Sequence, residues 1–380
     1  MTERDDFLME RLRSGPVDRR ATHPPQPEHK DQQTMPLPAY PPGRPRPTVT
    51  PAQPRPAGVA HHPAPTPRPA APGPVAAPVR PRPSRGWRHL VLVATRGLVN
   101  LGPSAHERQE ARFEAAVQAV LRGNYKVGVL GKGGVGKTTV AASVGSIFAE
   151  LRRQDRVVAV DADTAFGRLA SRIDPRTESS YWELAADKNL RSFADVRARV
   201  GTNAAGLYVL AGDPPAGRRR VLDPAIYREA ALRLDRHFTI SVVDCGSTMD
   251  APVTQEALRD LDALIVVSSP WADGASAAAQ TMEWLAEHGR TGLLRRSVVV
   301  LNDSDGHADK RTRAVLTRQF VDRGQKVVEV PFDPHLRPGG VIDVRREMAP
   351  ATRRRFLEIA ATVAEYFASR PDGARDRIPT

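Results

Sequence analysis

Nine consecutive residues constrain this chain more than any others: Gly131-Lys132-Gly133-Gly134-Val135-Gly136-Lys137-Thr138-Thr139. An apolar β-branched run, 126–130 (KVGVL), precedes them, and an alanine-rich helical stretch, 140–152, follows. The run fits G-x-x-x-x-G-K-[ST] in its strand–loop–helix context. Glycines let the backbone turn tightly and point several N–H groups at one anion. The helix beginning near Lys137 adds its positive end. The pattern therefore predicts a phosphate cradle formed by Gly131, Gly133, Gly134, Val135 and Gly136. It puts Lys137 on the β- and γ-phosphates, the Thr138 hydroxyl on Mg²⁺ and Thr139 at the α-phosphate.

The rest of the chain after residue 124 repeats one rhythm. Short apolar runs at 156–160, 207–210, 239–243, 263–268, 297–301 and 326–330 alternate with helical stretches. Continuous apolar runs of this length are expected of strands buried on both faces. Strand–helix alternation predicts an α/β fold, a mostly parallel sheet covered by helices on both faces in three layers. Two strands end in carboxylates, Asp161 with Asp163 and then Asp244, and such strand ends face the ligand crevice. Asp244 after an apolar run is the arrangement that holds Mg²⁺. Asp161 and Asp163 could alternatively cap the next helix. Cys245 reads as a small buried filler.

Proline divides the chain. Of 35 prolines, 22 fall in residues 1–84. That density removes backbone donors and leaves little apolar surface to offset chain entropy. Residues 1–84 are thus expected to be a disordered proline-rich arm, with PxxP spacings at Pro42–Pro45, Pro51–Pro54 and Pro69–Pro72 and a short apolar cluster at Phe7, Leu8 and Leu12. A connector is expected over 85–123, the folded domain over 124–368 and a polar tail over 369–380. A formal net charge of +13 admits nucleic acid or anionic membrane as partners without choosing between them. One cysteine excludes an intramolecular disulfide and suits a reducing cytoplasm. No signal peptide or membrane span is expected.

Lys132 is not demanded by the generic loop. With it, KGGVGKTT resembles the deviant P-loop of the MinD/ParA ATPases, and the likeness runs over roughly 125–368. The resemblance implies a P-loop NTPase fold, ATP and Mg²⁺ as cofactors, hydrolysis to ADP and phosphate, and an ATP-dependent homodimer in which Lys132 reaches the partner's phosphates. It implies that Asp163 positions the attacking water, that Asp161 supports Mg²⁺ or the loop, and that Asn302 and the Pro331, Phe332 and Asp333 segment face the adenine. The sequence departs from the family at Thr248, where a second glycine is usual after Asp244-Cys245-Gly246.

The layout of arm, connector and ATPase further resembles the EspI-type ATPases associated with actinobacterial type VII (ESX) secretion. The stretches 86–104, 189–205 and 242–247 carry that likeness. It implies a cytoplasmic protein that regulates or assists secretion, with its N-terminal arm engaging secretion machinery. The alternative is a ParA-type partition ATPase binding DNA non-specifically, for which Arg345, Arg346, Arg353, Arg354 and Arg355 are candidates against the plainer reading of a solvated face. Residues 85–101 mix Trp87 and aliphatics with arginines. They either pack on the domain that follows, the favoured reading, or touch the inner face of the plasma membrane. Ser104 with Glu107 predicts a capping box opening a helix through about Arg122. Residues 348–368 read as a closing core helix rather than a membrane tail.

Overall fold

The computed structural model describes residues 83, 86–163, 167–177, 179–212 and 221–369. The proline-rich arm apart from Pro83, its PxxP spacings, the Phe7 cluster and all but the first residue of the tail lie outside them.

Eight strands form one sheet: β1 (Tyr125–Gly131), β2 (Val157–Ala162), β3 (Gly201–Thr202), β4 (Tyr208–Leu210), β5 (Ile240–Cys245), β6 (Ala263–Ser268), β7 (Ser297–Asn302) and β8 (Lys326–Val330). The order is β3-β4-β2-β5-β1-β6-β7-β8. Every neighbouring pair is parallel except β3 with β4. The seven strands expected from apolar runs are all present. The two-residue antiparallel β3 was not expected, because two residues carry no periodicity.

Alternate residues of the strands feed two separate cores. Val127, Val129, Ile240, Val242, Ile265 and Val298 face α3 (Lys137–Leu151) and α12 (Pro350–Ala368). Leu130, Val160, Val243, Leu264, Val266 and Val299 face the other side, under α7 (Pro224–Asp235), α8 (Pro252–Arg259), α9 (Ala272–Glu287) and α11 (Lys310–Asp322). This is the expected three-layer α/β arrangement. Phe356, Ile359, Val363 and Phe367 of α12 are buried, so that helix closes the core as its spacing predicts.

Helix α2 (Ala105–Val117) opens on the expected capping box: the Ser104 N–H donates to Glu107 Oε2 at 2.7 Å, and the Glu107 N–H to Ser104 Oγ at 3.2 Å. It ends at Val117, a turn earlier than predicted. The favoured expectation that 85–101 packs on the domain is corrected. In α1 (Gly86–Ala94) no residue is buried, and Trp87, Leu90 and Val93 are exposed, as is Leu98 beyond it. Arg88 donates to the Pro103 carbonyl, and His89 bonds the Pro83 carbonyl. Arg88 and His89 are half-buried together with Val91 and Leu92, while Trp87, Leu90 and Val93 face outward.

Candidate nucleotide site

The phosphate loop leaves the sheet at its topological switch point. β1 lies between β5 and β6, and the connections of its neighbours diverge there, opening a crevice at the strand C-termini. Two glycines are required by geometry. A side chain at Gly131 would collide with the Val267 carbonyl of β6. Gly136 has φ +94° and caps α3, and a side chain there would strike the Asn302 amide. Asn302 Nδ2 in turn donates to the Val135 carbonyl at 2.9 Å, fastening the loop to the end of β7. Gly133 and Gly134 are exposed, and Val135 is buried. Lys137 is buried, and its ammonium donates to the Lys132 carbonyl at 3.3 Å. Thr138 and Thr139 are half-buried in the first turn of α3, whose free N–H groups and dipole favour an anion.

Asp161 and Asp244 sit opposite each other in register on β2 and β5. Both are buried. Burial pushes the Asp161 carboxyl well up, and the charge of Asp244 adds to this. Burial also raises Asp244, to about 7, while Thr138 and Lys137 pull it down. Asp161 accepts from the Leu169 N–H at 3.0 Å and the Asp163 N–H at 3.2 Å, so it does anchor the start of α4 (Leu169–Ile173). Neither Asp244 oxygen meets a hydrogen-bond donor in bonding geometry. A buried carboxylate left this way beside a threonine hydroxyl fits a divalent cation. Among the described residues no three His, Cys, Asp or Glu side chains converge as a metal cage. A cation here would complete its shell with water and phosphate oxygens, which is how Mg²⁺ is commonly held.

Beyond the loop lies a cavity of about 180 Å³ whose lining includes Gly134, Gly136, Thr139, Asn302, Pro331, Phe332 and Asp333. The strand-end residues expected at a base are thus brought together with the loop. Asp333 is occupied structurally, accepting from the N–H groups of His335 and Ala349. Arg172 of α4 lines the same cavity and was not singled out in the sequence. A lone arginine in a basic chain gives no pattern to find it by.

Lys132 is exposed and pairs with Asp273 at 2.8 Å, in the first turn of α9. That partner was also missed, although it stands just past the end of β6, where the strand-end rule looks. Of the basic residues near the C-terminus, Arg345 and Arg353 pair with Glu150 and Arg355 with Glu358. Cys245 is fully buried, and burial raises its thiol to about 12, so it is an unreactive filler.

The CobQ/CobB/MinD/ParA nucleotide binding domain model matches residues 128–338. The chain is 34% identical over 286 residues to the ESX-1 secretion-associated protein EspI of Mycobacterium tuberculosis, in strains CDC 1551 and H37Rv alike, an overlap of 74% of this chain and 42% of EspI. It therefore spans less than half the length of those relatives. It is 25% identical over 240 residues to an uncharacterized ATP-binding protein of Methanocaldococcus jannaschii, covering 62% of this chain and 85% of that one. In fold it is similar to the crystal structure of a ParA family ATPase from Chlorobium tepidum, with TM-score 0.50 and 19% identity over 63% of this chain and 98% of the other.

Proposed function

Because the chain belongs to the CobQ/CobB/MinD/ParA nucleotide-binding family, we propose that it is a Mg²⁺-dependent ATPase that uses ATP to switch between monomer and homodimer. The observation that carries this reading is the Asp244 carboxylate, buried beside Thr138 and Lys137 with neither oxygen in a well-formed hydrogen bond. Mg²⁺, when bound, neutralises charge on the phosphates. The loop N–H groups and Lys137 hold the β- and γ-phosphates in a water-poor site, where such contacts count most. Thr138 and Asp244 hold the cation, with Asp161 keeping the loop behind them in position. Asp163 orients water for attack, and phosphoryl transfer asks for little more than positioning and charge. Lys132 exchanges Asp273 for the phosphates of a second copy.

By its likeness to EspI, the switch serves type VII secretion from the cytoplasmic side, with the N-terminal arm engaging the machinery. The test is ATP turnover in wild type, Lys137→Ala and Asp163→Ala, with sedimentation in ATP. Lys137→Ala should lose nucleotide binding. Asp163→Ala should bind, lose turnover at least ~100-fold and accumulate as dimer. Equal turnover in all three would sink the enzymatic reading.

The outward apolar side of α1 favours a second feature, peripheral contact with an anionic bilayer. Trp87, Leu90 and Val93 are exposed, and Arg88, His89 and Arg96 lie among or just beyond them. No helix among the described residues is long and apolar enough to cross a membrane. Wild type should pellet with phosphatidylglycerol vesicles, and Trp87→Glu with Leu90→Glu should not. A wild type that stays in solution would remove the idea.

A further inference from the structure

Arg172 is only 8% exposed, yet it carries a full charge into the cavity beside the phosphate loop. Its Nη2 donates to Thr139 Oγ1 at 2.6 Å and to the Leu336 carbonyl at 2.8 Å, and its Nη1 donates to the Gly340 carbonyl at 3.1 Å. All three acceptors are neutral. Among the described residues no carboxylate forms an ion pair with it. The two carboxylates sharing its cavity are engaged elsewhere: Asp333 by His335 and Ala349, and Asp303 by the Gly306 N–H. Burial alone lowers its pKa, with no acid to offset it. Buried charges in proteins are paired, because an unpaired one costs several kcal/mol. A guanidinium held here without a counter-charge is therefore half of a pair.

The other half is indicated by Thr139. A hydroxyl has one hydrogen to give. Because Thr139 Oγ1 accepts from Arg172, its own hydrogen is free to turn toward an anion at the N-terminus of α3. We propose that Arg172 is a positioning residue for the phosphate nearest the nucleoside: it fixes Thr139 as a donor to that phosphate and supplies the positive charge behind it. The same guanidinium holds the carbonyls of Leu336 and Gly340, and the backbone carbonyl of Arg172 accepts from the Ile342 N–H at 2.9 Å. The base-side wall and the phosphate side thus share one side chain. This inference rests on the nucleotide-binding reading of the cavity.

The experiment is calorimetric binding of Mg-ADP to the full chain in wild type, Arg172→Gln, Arg172→Lys, Thr139→Val and the double variant Arg172→Gln/Thr139→Val. Thermal melting without ligand is measured alongside. Arg172→Gln should weaken ADP at least about tenfold, the scale of one charge-assisted hydrogen bond. Arg172→Lys keeps the charge and should recover most of that loss. In the Thr139→Val background, Arg172→Gln should cost clearly less than alone, because the two act as a unit. Additive losses, or equal weakening by lysine and glutamine, would reduce Arg172 to a clip on the 336–340 segment and overturn the proposal. A wild type that binds no ADP would instead remove the nucleotide reading itself, so the two failures are distinguishable. Should Arg172→Gln melt early, the lysine and Thr139→Val comparisons still decide.

Discussion

The two ends of β1 treat buried charge in opposite ways. At its N-terminal end, Lys126 is buried and pairs with Asp235 at 2.7 Å and with Asp260, while its N–H donates to Asp262 at 2.8 Å. Burial works against this ammonium, but the two carboxylates outweigh it and hold its pKa above the ordinary value. At the C-terminal end, the Asp244 oxygens make no well-formed hydrogen bond and have only the nearby Thr138 hydroxyl and Lys137 to draw their pKa down, Asp161 faces Asp244 across the register, and Arg172 meets only neutral acceptors. The base of the sheet is closed by its own chain. The crown holds charges, Asp244 and Arg172 above all, that the chain pairs incompletely. Charge closed within the fold is architecture, and charge left open at strand ends marks the place for a ligand.

The sharpest way to break this contrast is to remove Lys126. Lys126→Met leaves Asp235 and Asp260 facing each other without a cation. Loss of one member of a buried ion pair costs roughly 3–5 kcal/mol, and the lower end is expected here because Asp260 is about half exposed. Urea unfolding should show this, with the fold otherwise intact at low denaturant. An unchanged midpoint would mean the base is not held by this pairing.

Asp244→Asn should do the reverse in the ligand-free chain. The folded Asp244 carboxyl keeps its proton up to about pH 7, where an unfolded one has lost it near pH 4. The folded state therefore binds more protons between those values, and stability falls as pH rises through the window. The slope is about 1.4 kcal/mol per pH unit for one such group at most. Asp161, raised in the same direction, adds to it. Asp244→Asn should flatten its share of the fall and gain on the order of 1–2 kcal/mol at pH 8. Mg-ATP should stabilise wild type more as pH rises, because the cation needs the ionised carboxylate. Identical pH profiles for the two proteins would contradict the assignment of Asp244 as an open charge.

Much of this crown was legible in the sequence because its signals are local. The loop is nine adjacent residues, and Asp161 and Asp244 each end an apolar run. What escaped depends on distant pairs. Arg172 gains meaning only from Leu336 and Gly340, more than 160 residues on. Asp273 matters because it meets Lys132 across 141 positions. Trp87, Leu90 and Val93 of α1 were legible as apolar, but their exposure depends on where the helix lies, with Arg88 and His89 bonding the carbonyls of Pro103 and Pro83. Composition cannot encode that.

Cys245 has one more consequence. It is the sole sulfhydryl in the chain, fully enclosed, and it follows Asp244 directly on β5. A thiol held at about 12 is almost entirely protonated at neutral pH and shielded from alkylating agents. Its rate of labelling is therefore a clock for the opening of the strand that carries Asp244. The chain contains its own single-site probe of how firmly the centre of the sheet is closed, with no engineered label required.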